Sequence, residues 1–372
     1  MMKVNVDVKA GLSFRAFYLF FIINSAQTSV GIMGVPKFIY KEAHQDSWLA
    51  ILIAFVYMVI LIFMMFLILN KYENADIFGI QVDLFGKWIG KSLGIVYIAY
   101  FSLSLLSILI TYIQVIQIFI YPHLPSFIMG VLLLGLVVYS VLGGIRVIVG
   151  VVFIFFFLSF WILFFLYDPI SRMEMTHFQP MFQASWIDLL KGARATSYTF
   201  LGIESILIIY PFIENKQKSR LFTMLAMIYT TVLILLGTII SIGYYSPRDL
   251  EKTNWAVLKL FRGISLPLIE RLDYIVMVEW MMVTIPTLII LMWSITHGTK
   301  RLFSIRQKTT LYIVALLILA ISSFIKYEIT VEKIGLITDR VGFWLVFVYP
   351  LVLLPIVLVK KKWEKIKGGD QS

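Results

Sequence analysis

Two short stretches of this chain carry the residue types that hold small polar molecules. The first is NSAQTSVGIMG, Asn24 to Gly34, and the second is RATSYTFLGIES, Arg194 to Ser205. Each gathers hydroxyls, amides and glycines inside an apolar run. Such residues let a helix unwind, and an unwound turn exposes backbone N–H and C=O groups that have lost their helical partners. Amides heading a half-helix favour a carboxylate, and carbonyls ending another favour an ammonium or a cation. A zwitterionic amino acid meets both needs without any charged side chain. The candidate ligand-binding residues are therefore Gln27, Thr28, Ser29, Val30 and Gly31, with Tyr198, Thr199, Phe200, Leu201, Gly202 and Glu204. The carboxylate is expected on the amides around Ser29, Val30 and Gly31. The α-amino group is expected against the carbonyls of Tyr198 to Leu201, near Glu204.

Two carboxylates extend the set. Glu204 closes the second stretch, and Glu279 lies within the apolar run YIVMVEWMMVTIPTLIILMW. An ionisable group at that depth is expensive unless it is paired, protonated or facing water. Each reads either as a coupling or gating group or as half of a structural ion pair, with Arg194 or Lys300. Thr284 and Thr287 fall on roughly the same helix side as Glu279 and are expected to share its cavity. Thr111, Gln114 and Gln117 form a polar stripe that interhelical hydrogen bonding explains equally well. The histidines, His44, His123, His177 and His297, sit in loops or at span ends without ligand spacing, so neither a metal nor a cofactor is expected. No serine, histidine and carboxylate converge at one depth, so no enzyme is expected.

The elements that must position these groups are membrane spans. The 372 residues are 60% hydrophobic and 14% charged, with a mean hydropathy of +0.91. A water-soluble domain is nearer 45–50% apolar and about 25% charged. Repeated runs of roughly 20 apolar residues match a hydrocarbon core about 30 Å thick, and their lack of strict alternation excludes a barrel. Ten spans are predicted, at about 13–36, 47–70, 93–120, 127–143, 146–167, 187–213, 219–243, 270–298, 308–325 and 338–359. No removable signal peptide is expected in the first residues. The absence of cysteine excludes disulfides and thiolate chemistry. The net charge of +11 follows topology, not nucleic acid: with both termini cytoplasmic, 19 of the 32 Lys and Arg lie inside.

Ten spans divide into two five-helix halves, 13–167 and 187–359, within one membrane domain of residues 1–372 ending in a basic cytoplasmic tail, 360–372. The two polar stretches then fall in the first helix of each half, and each is followed by a proline, Pro36 and Pro211. Paired broken helices in corresponding positions mark a midplane ligand site between inverted repeats. Small residues also let neighbouring helices approach closely, which explains either stretch alone. The pairing is what favours a site. Substituting Gly31 or Gly202 by leucine is then expected to abolish a ligand response at normal protein abundance. The longer connections 71–92, 168–186 and 244–272 have room for interfacial helices, and WAVLKLFRGISLPLIERL, Trp255 to Leu272, reads as one or as a mere connector.

QTSVGIMGVP in the first span, LGIES in the sixth, the compact length and the basic tail resemble the B subunits of spore germinant receptors, the spore permease family. Where that family has Ile-Gly-Val-Gly-Ile-Leu-Ser-Leu-Pro, this chain has Thr28 to Pro36, with Ser29 at the first glycine and a glycine at position 34 instead. The resemblance implies an all-α, ten-helix, five-plus-five inverted repeat of the amino acid–polyamine–organocation transporter type. It implies a germinant-sensing subunit in the spore inner membrane, working with an A and a C subunit on an amino acid, nucleoside or sugar. An autonomous ion-coupled amino acid transporter is the alternative, and a scaffold with a vestigial cavity is a third reading.

Overall fold

The computed structural model describes residues 3–9, 11–264 and 271–369, and these are almost wholly helical. The first span is α1 (Leu19–Gln27) and α2 (Gly31–Ala43), interrupted over residues 28–30. At His44, with φ of +47°, the chain turns into the second span, α3 (Ser47–Leu69). The third lies in α4 (Ile77–Phe119), whose first residues, 77–85, form a short helix separated from the spanning part by non-helical backbone at Gly86, where φ is +78°. The fourth is α5 (Ser126–Leu142), and the fifth is α6 (Ile145–Phe160), continued through a tight turn into α7 (Tyr167–Ser171). The sixth span joins α8 (Trp186–Ser197) to α9 (Ile206–Ile209) through a break that bends its halves by 49°.

The seventh span is α10 (Lys216–Tyr244), followed by short α11 (Pro247–Lys252) and α12 (Ala256–Leu260). The eighth is α13 (Leu272–Phe303) and the ninth α14 (Gln307–Phe324). The tenth is α15 (Glu328–Gly342), a π-helical turn over Phe343–Val348, and α16 (Tyr349–Gly369). Seven helical runs are individually long and apolar enough to cross a membrane, and the bent sixth span adds another. The run Gly31–Leu69 satisfies that test once but holds two arms, and α5 is shorter, so the described residues make ten spans. α13 is the most deeply buried long helix, whereas α6 and α14 give most of their surface to lipid, which suits their all-round apolar composition.

Several expectations change in detail. The connection 71–92 does hold a short helix of its own: residues 77–85, capped by Asp76, whose side chain accepts from the Gly79 N–H, are set off from the rest of α4 by Gly86. The chain doubles back there, so that a Cβ on Gly90 would sit 2.7 Å from the Gln81 carbonyl. Trp255 to Ile264 packs against the bundle, chiefly on α2. Ala256, Leu258, Leu260 and Phe261 are buried, and the carbonyl of Asn254 comes so close to Gly34 that a Cβ there would sit 2.8 Å from it. The glycine at position 34 thus admits this segment. The remainder of that connection, residues 265–270, lies outside the described residues, as do residues 370–372 of the basic tail. That tail is a continuation of α16, and Lys360 pairs with Asp83 at 2.8 Å.

His297 is not at a span end in any exposed sense. It is buried in α13, 3.0 Å from Asp76, which also pairs with Arg301 at 2.8 Å. Arg301 donates in turn to the carbonyls of Lys3 and Val4. Phe14 exchanges backbone hydrogen bonds with Phe212 and Glu214, so the N-terminal segment is tied across the same end of the bundle.

Candidate functional site

The first break follows from its residues. Thr28 caps α1 twice, its N–H and its hydroxyl both bonding the Asn24 carbonyl at 2.9 Å. Its φ and ψ of −87° and 13° leave the helical path, and α2 restarts at Gly31. Pro36 lies inside α2, so the break precedes it and does not end on it. The second break is sharper. Leu201 is extended, with ψ of 144°, and Gly202 has φ of +111°, a region that penalises any side chain. Pro211 sits in the closing turn of the span, ten residues after Leu201.

The two breaks face each other. Gln27 Nε2 donates to the Phe200 carbonyl at 3.2 Å, and Gly202 packs on the backbone of Ala26. Beside them is a cavity of about 60 Å³ lined by both breaks, by α4, by α13 and by Thr338 of α15. Of the residues named from sequence, Gln27, Ser29, Val30, Gly31, Tyr198, Thr199, Leu201, Gly202, Glu204 and Thr287 line it. Thr28, Phe200 and Thr284 do not. Thr28 turns back onto α1, Phe200 is fully buried in the core, and Thr284 bonds the Trp280 carbonyl of its own helix.

Five polar atoms of lining residues, Gln27 Oε1, Ser29 Oγ, Ser104 Oγ, Ser107 Oγ and Thr199 Oγ1, are buried without a hydrogen-bond partner. Each such atom costs about 1–3 kcal/mol relative to one that is bonded. Among the described residues this is a cavity with more hydrogen-bonding capacity than it uses. The N-terminal end of α2 adds the N–H groups at the head of a helix. Tyr100, Ser104 and Ser107 of α4, with Ser205, Ser294 and Thr338, are the polar lining residues that sequence reasoning missed. The spacing of Tyr100, Ser104 and Ser107 by four and three residues was the available signal, because it puts them on one helix face. The stripe that was noticed lies further along α4, and Gln117 there secures the next turn through the Leu124 carbonyl at 2.8 Å.

The acidic residues are used differently from either expectation. Glu204 makes no ion pair with Arg194. Its Oε2 accepts from the Gly202 N–H at 2.7 Å and its Oε1 from the Tyr100 hydroxyl at 2.9 Å, so it braces the break from inside the cavity. Arg194 instead grips Asp339 of α15 through two hydrogen bonds of 3.0 and 2.8 Å. That pair lies on the opposite side of the break from Phe14 and the chain termini. Glu279 is not paired with Lys300 and does not line the cavity with Thr287. It accepts from the indole N–H of Trp161 at 3.1 Å. The eight-residue separation of Glu279 and Thr287 turns the two side chains to different neighbours.

The family of spore germination proteins matches residues 14–330. Spore germination protein GerQB of Bacillus cereus is 29% identical, the alignment covering 94% of this chain and 97% of that protein. Spore germination protein A2 of Bacillus subtilis (strain 168) is 21% identical, with 94% and 97% covered. Among solved structures, a substrate-bound, outward-open Na+-coupled sialic acid symporter superposes with a TM-score of 0.62 at 11% identity, over 94% of this chain and 77% of that one. The nucleobase-cation-symport-1 transporter Mhp1 superposes with a TM-score of 0.55 at 14% identity, covering 92% and 81%. At these identities the likeness is one of fold, an inverted-repeat transporter fold with interrupted first and sixth helices.

Proposed function

The chain belongs to the family of spore germination proteins, and on that premise we propose that it is the nutrient-sensing membrane subunit of a spore germination receptor. A small nutrient, an amino acid by preference, sits between the breaks of the first and sixth spans. The observation that carries this reading is the convergence of five unpartnered buried polar atoms on one cavity at those breaks. A carboxylate on the amides heading α2 and an ammonium towards Glu204 and the Leu201 side would draw on the hydrogen-bonding capacity that the chain itself does not use there. Binding is then stronger in the conformation where both breaks close on the ligand, and that difference in affinity shifts the population.

The two five-helix halves, 13–167 and 187–359, supply one break each. The shift passes to A and C partner subunits in the spore inner membrane, with both termini cytoplasmic. No bond is made or broken in this scheme, and no cofactor or metal takes part in it. The test is deletion of the gene and exposure of the spores to single amino acids, nucleosides and sugars. Loss of response to one class supports the assignment; a normal response to every compound contradicts it.

A second reading, an autonomous ion-coupled amino acid transporter, is favoured by the likeness of fold to symporters. Against it, two carbonyls at the breaks, those of Ser25 and Phe200, are already engaged by the chain's own donors. The Thr287 hydroxyl bonds the Ser25 carbonyl at 2.7 Å, and the Gln27 amide bonds Phe200. Uptake of labelled amino acid by the purified protein in liposomes separates the readings, since gradient-driven accumulation would replace sensing by transport.

A further inference from the structure

A second cavity lies on the other side of the first break. It measures about 120 Å³ and is walled by α1 and α2, by α6 and the turn after it, by α10, by the Val257–Phe261 segment and by α13. Its lining is aromatic and aliphatic, with Phe156, Phe160, Tyr229, Phe261, Trp280 and Val283 among the walls. Three of the polar side chains at its edge are engaged elsewhere. Thr28 bonds the Asn24 carbonyl, Asn24 donates to Thr230, and Ser159 donates to the Phe156 carbonyl. A dry apolar cavity of this order, about 150 Å³ in an engineered case, takes up benzene. Phe160 and Leu236, both about two-fifths exposed, form the rim between α6 and α10, on the lipid-facing flank of the bundle.

We propose that this cavity is a second binding site, for an uncharged aromatic or short aliphatic molecule that enters from the bilayer. Its wall is the first break itself. Thr28 faces this cavity while Ser29, Val30 and Gly31 face the polar one, and the Trp280 indole donates to the Ser29 carbonyl across the partition at 3.4 Å. An occupant therefore acts on the backbone that the nutrient must close upon, and the coupling is reciprocal. The binding stands apart from the nutrient reading; only the coupling to nutrient rests on it.

The experiment uses 4-fluorotoluene as the probe and the full chain in nanodiscs, with empty nanodiscs as the reference for partitioning into lipid. The expected result is a bound fluorine resonance that saturates, and slower hydrogen exchange at residues 28–31 when it is present. Ser159→Phe and Leu233→Trp fill the cavity from different helices, and each is expected to remove the bound resonance at an unchanged thermal midpoint. If one variant does not fold, the other decides. In Gly31→Leu, which fills the polar cavity, the bound resonance is expected to persist, whatever becomes of the nutrient response. A signal identical to that of empty nanodiscs, or one that survives both filling substitutions, overturns the site. Saturable binding without any change in exchange at residues 28–31 overturns the coupling.

Discussion

A Cβ atom built on Gly202 would lie 2.7 Å from the Cβ of Ala26 and 2.8 Å from the Ala26 carbonyl. The two broken spans thus meet backbone to backbone, and the close approach and the φ of +111° demand glycine independently. Gly202→Ala combines a clash with a strained backbone, the latter alone costing about 1–3 kcal/mol. The predicted result is a lower thermal midpoint and reduced abundance in the membrane. This corrects the expectation that Gly202→Leu yields an intact but unresponsive protein. Normal abundance and midpoint in Gly202→Ala would contradict the packing.

Gly31 behaves differently. A Cβ there meets Tyr198 at 3.5 Å and Thr199 at 3.6 Å, ordinary contacts. Gly31→Ala is predicted to fold and to respond, whereas Gly31→Leu fills the polar cavity and abolishes the nutrient response at normal abundance. Germination assays beside immunoblots of the membrane fraction check both halves.

Tyr100 and Glu204 act as one unit. Tyr100→Phe removes one donor to the carboxylate, and Glu204→Gln removes one of the two acceptors that Tyr100 and Gly202 share. The double-mutant cycle, read as thermal unfolding of purified protein, is predicted to show a coupling energy of about 0.5–3 kcal/mol. Strict additivity would mean that the observed bonds do not stabilise the break.

Glu279 lies away from the polar cavity, bonded to Trp161. Glu279→Gln retains an acceptor for that indole, and the nutrient dose-response is predicted to be unchanged. A large shift in the dose-response would return Glu279 to the coupling role that its depth in the sequence first suggested.

The spans and both breaks were legible because apolar length and interrupted polarity are local properties of the chain. Gly31 and Gly202 were found for this reason. What Glu204 and Glu279 bond was not legible, because a single helix does not say which neighbour its carboxylate meets. Arg194 is near Glu204 in sequence, yet it pairs with Asp339, 145 residues away. Ser104 and Ser107 were passed over because isolated serines in a leucine-rich span look like packing residues until their helix face is known. The amphipathic composition of the Val257–Phe261 segment announced a surface to be covered but not what covers it, which is α2.

The most direct measurement is the thermal stability of the purified protein against single amino acids, nucleosides and sugars. A nutrient held by the breaks stabilises the fold by about 2.7 kcal/mol at a hundredfold excess over its Kd. The prediction is that at least one amino acid raises the midpoint in a dose-dependent way and that Gly31→Leu, at an otherwise normal midpoint, removes the effect. No stabilisation by any compound, or a stabilisation that persists in Gly31→Leu, would contradict a nutrient site at the paired breaks.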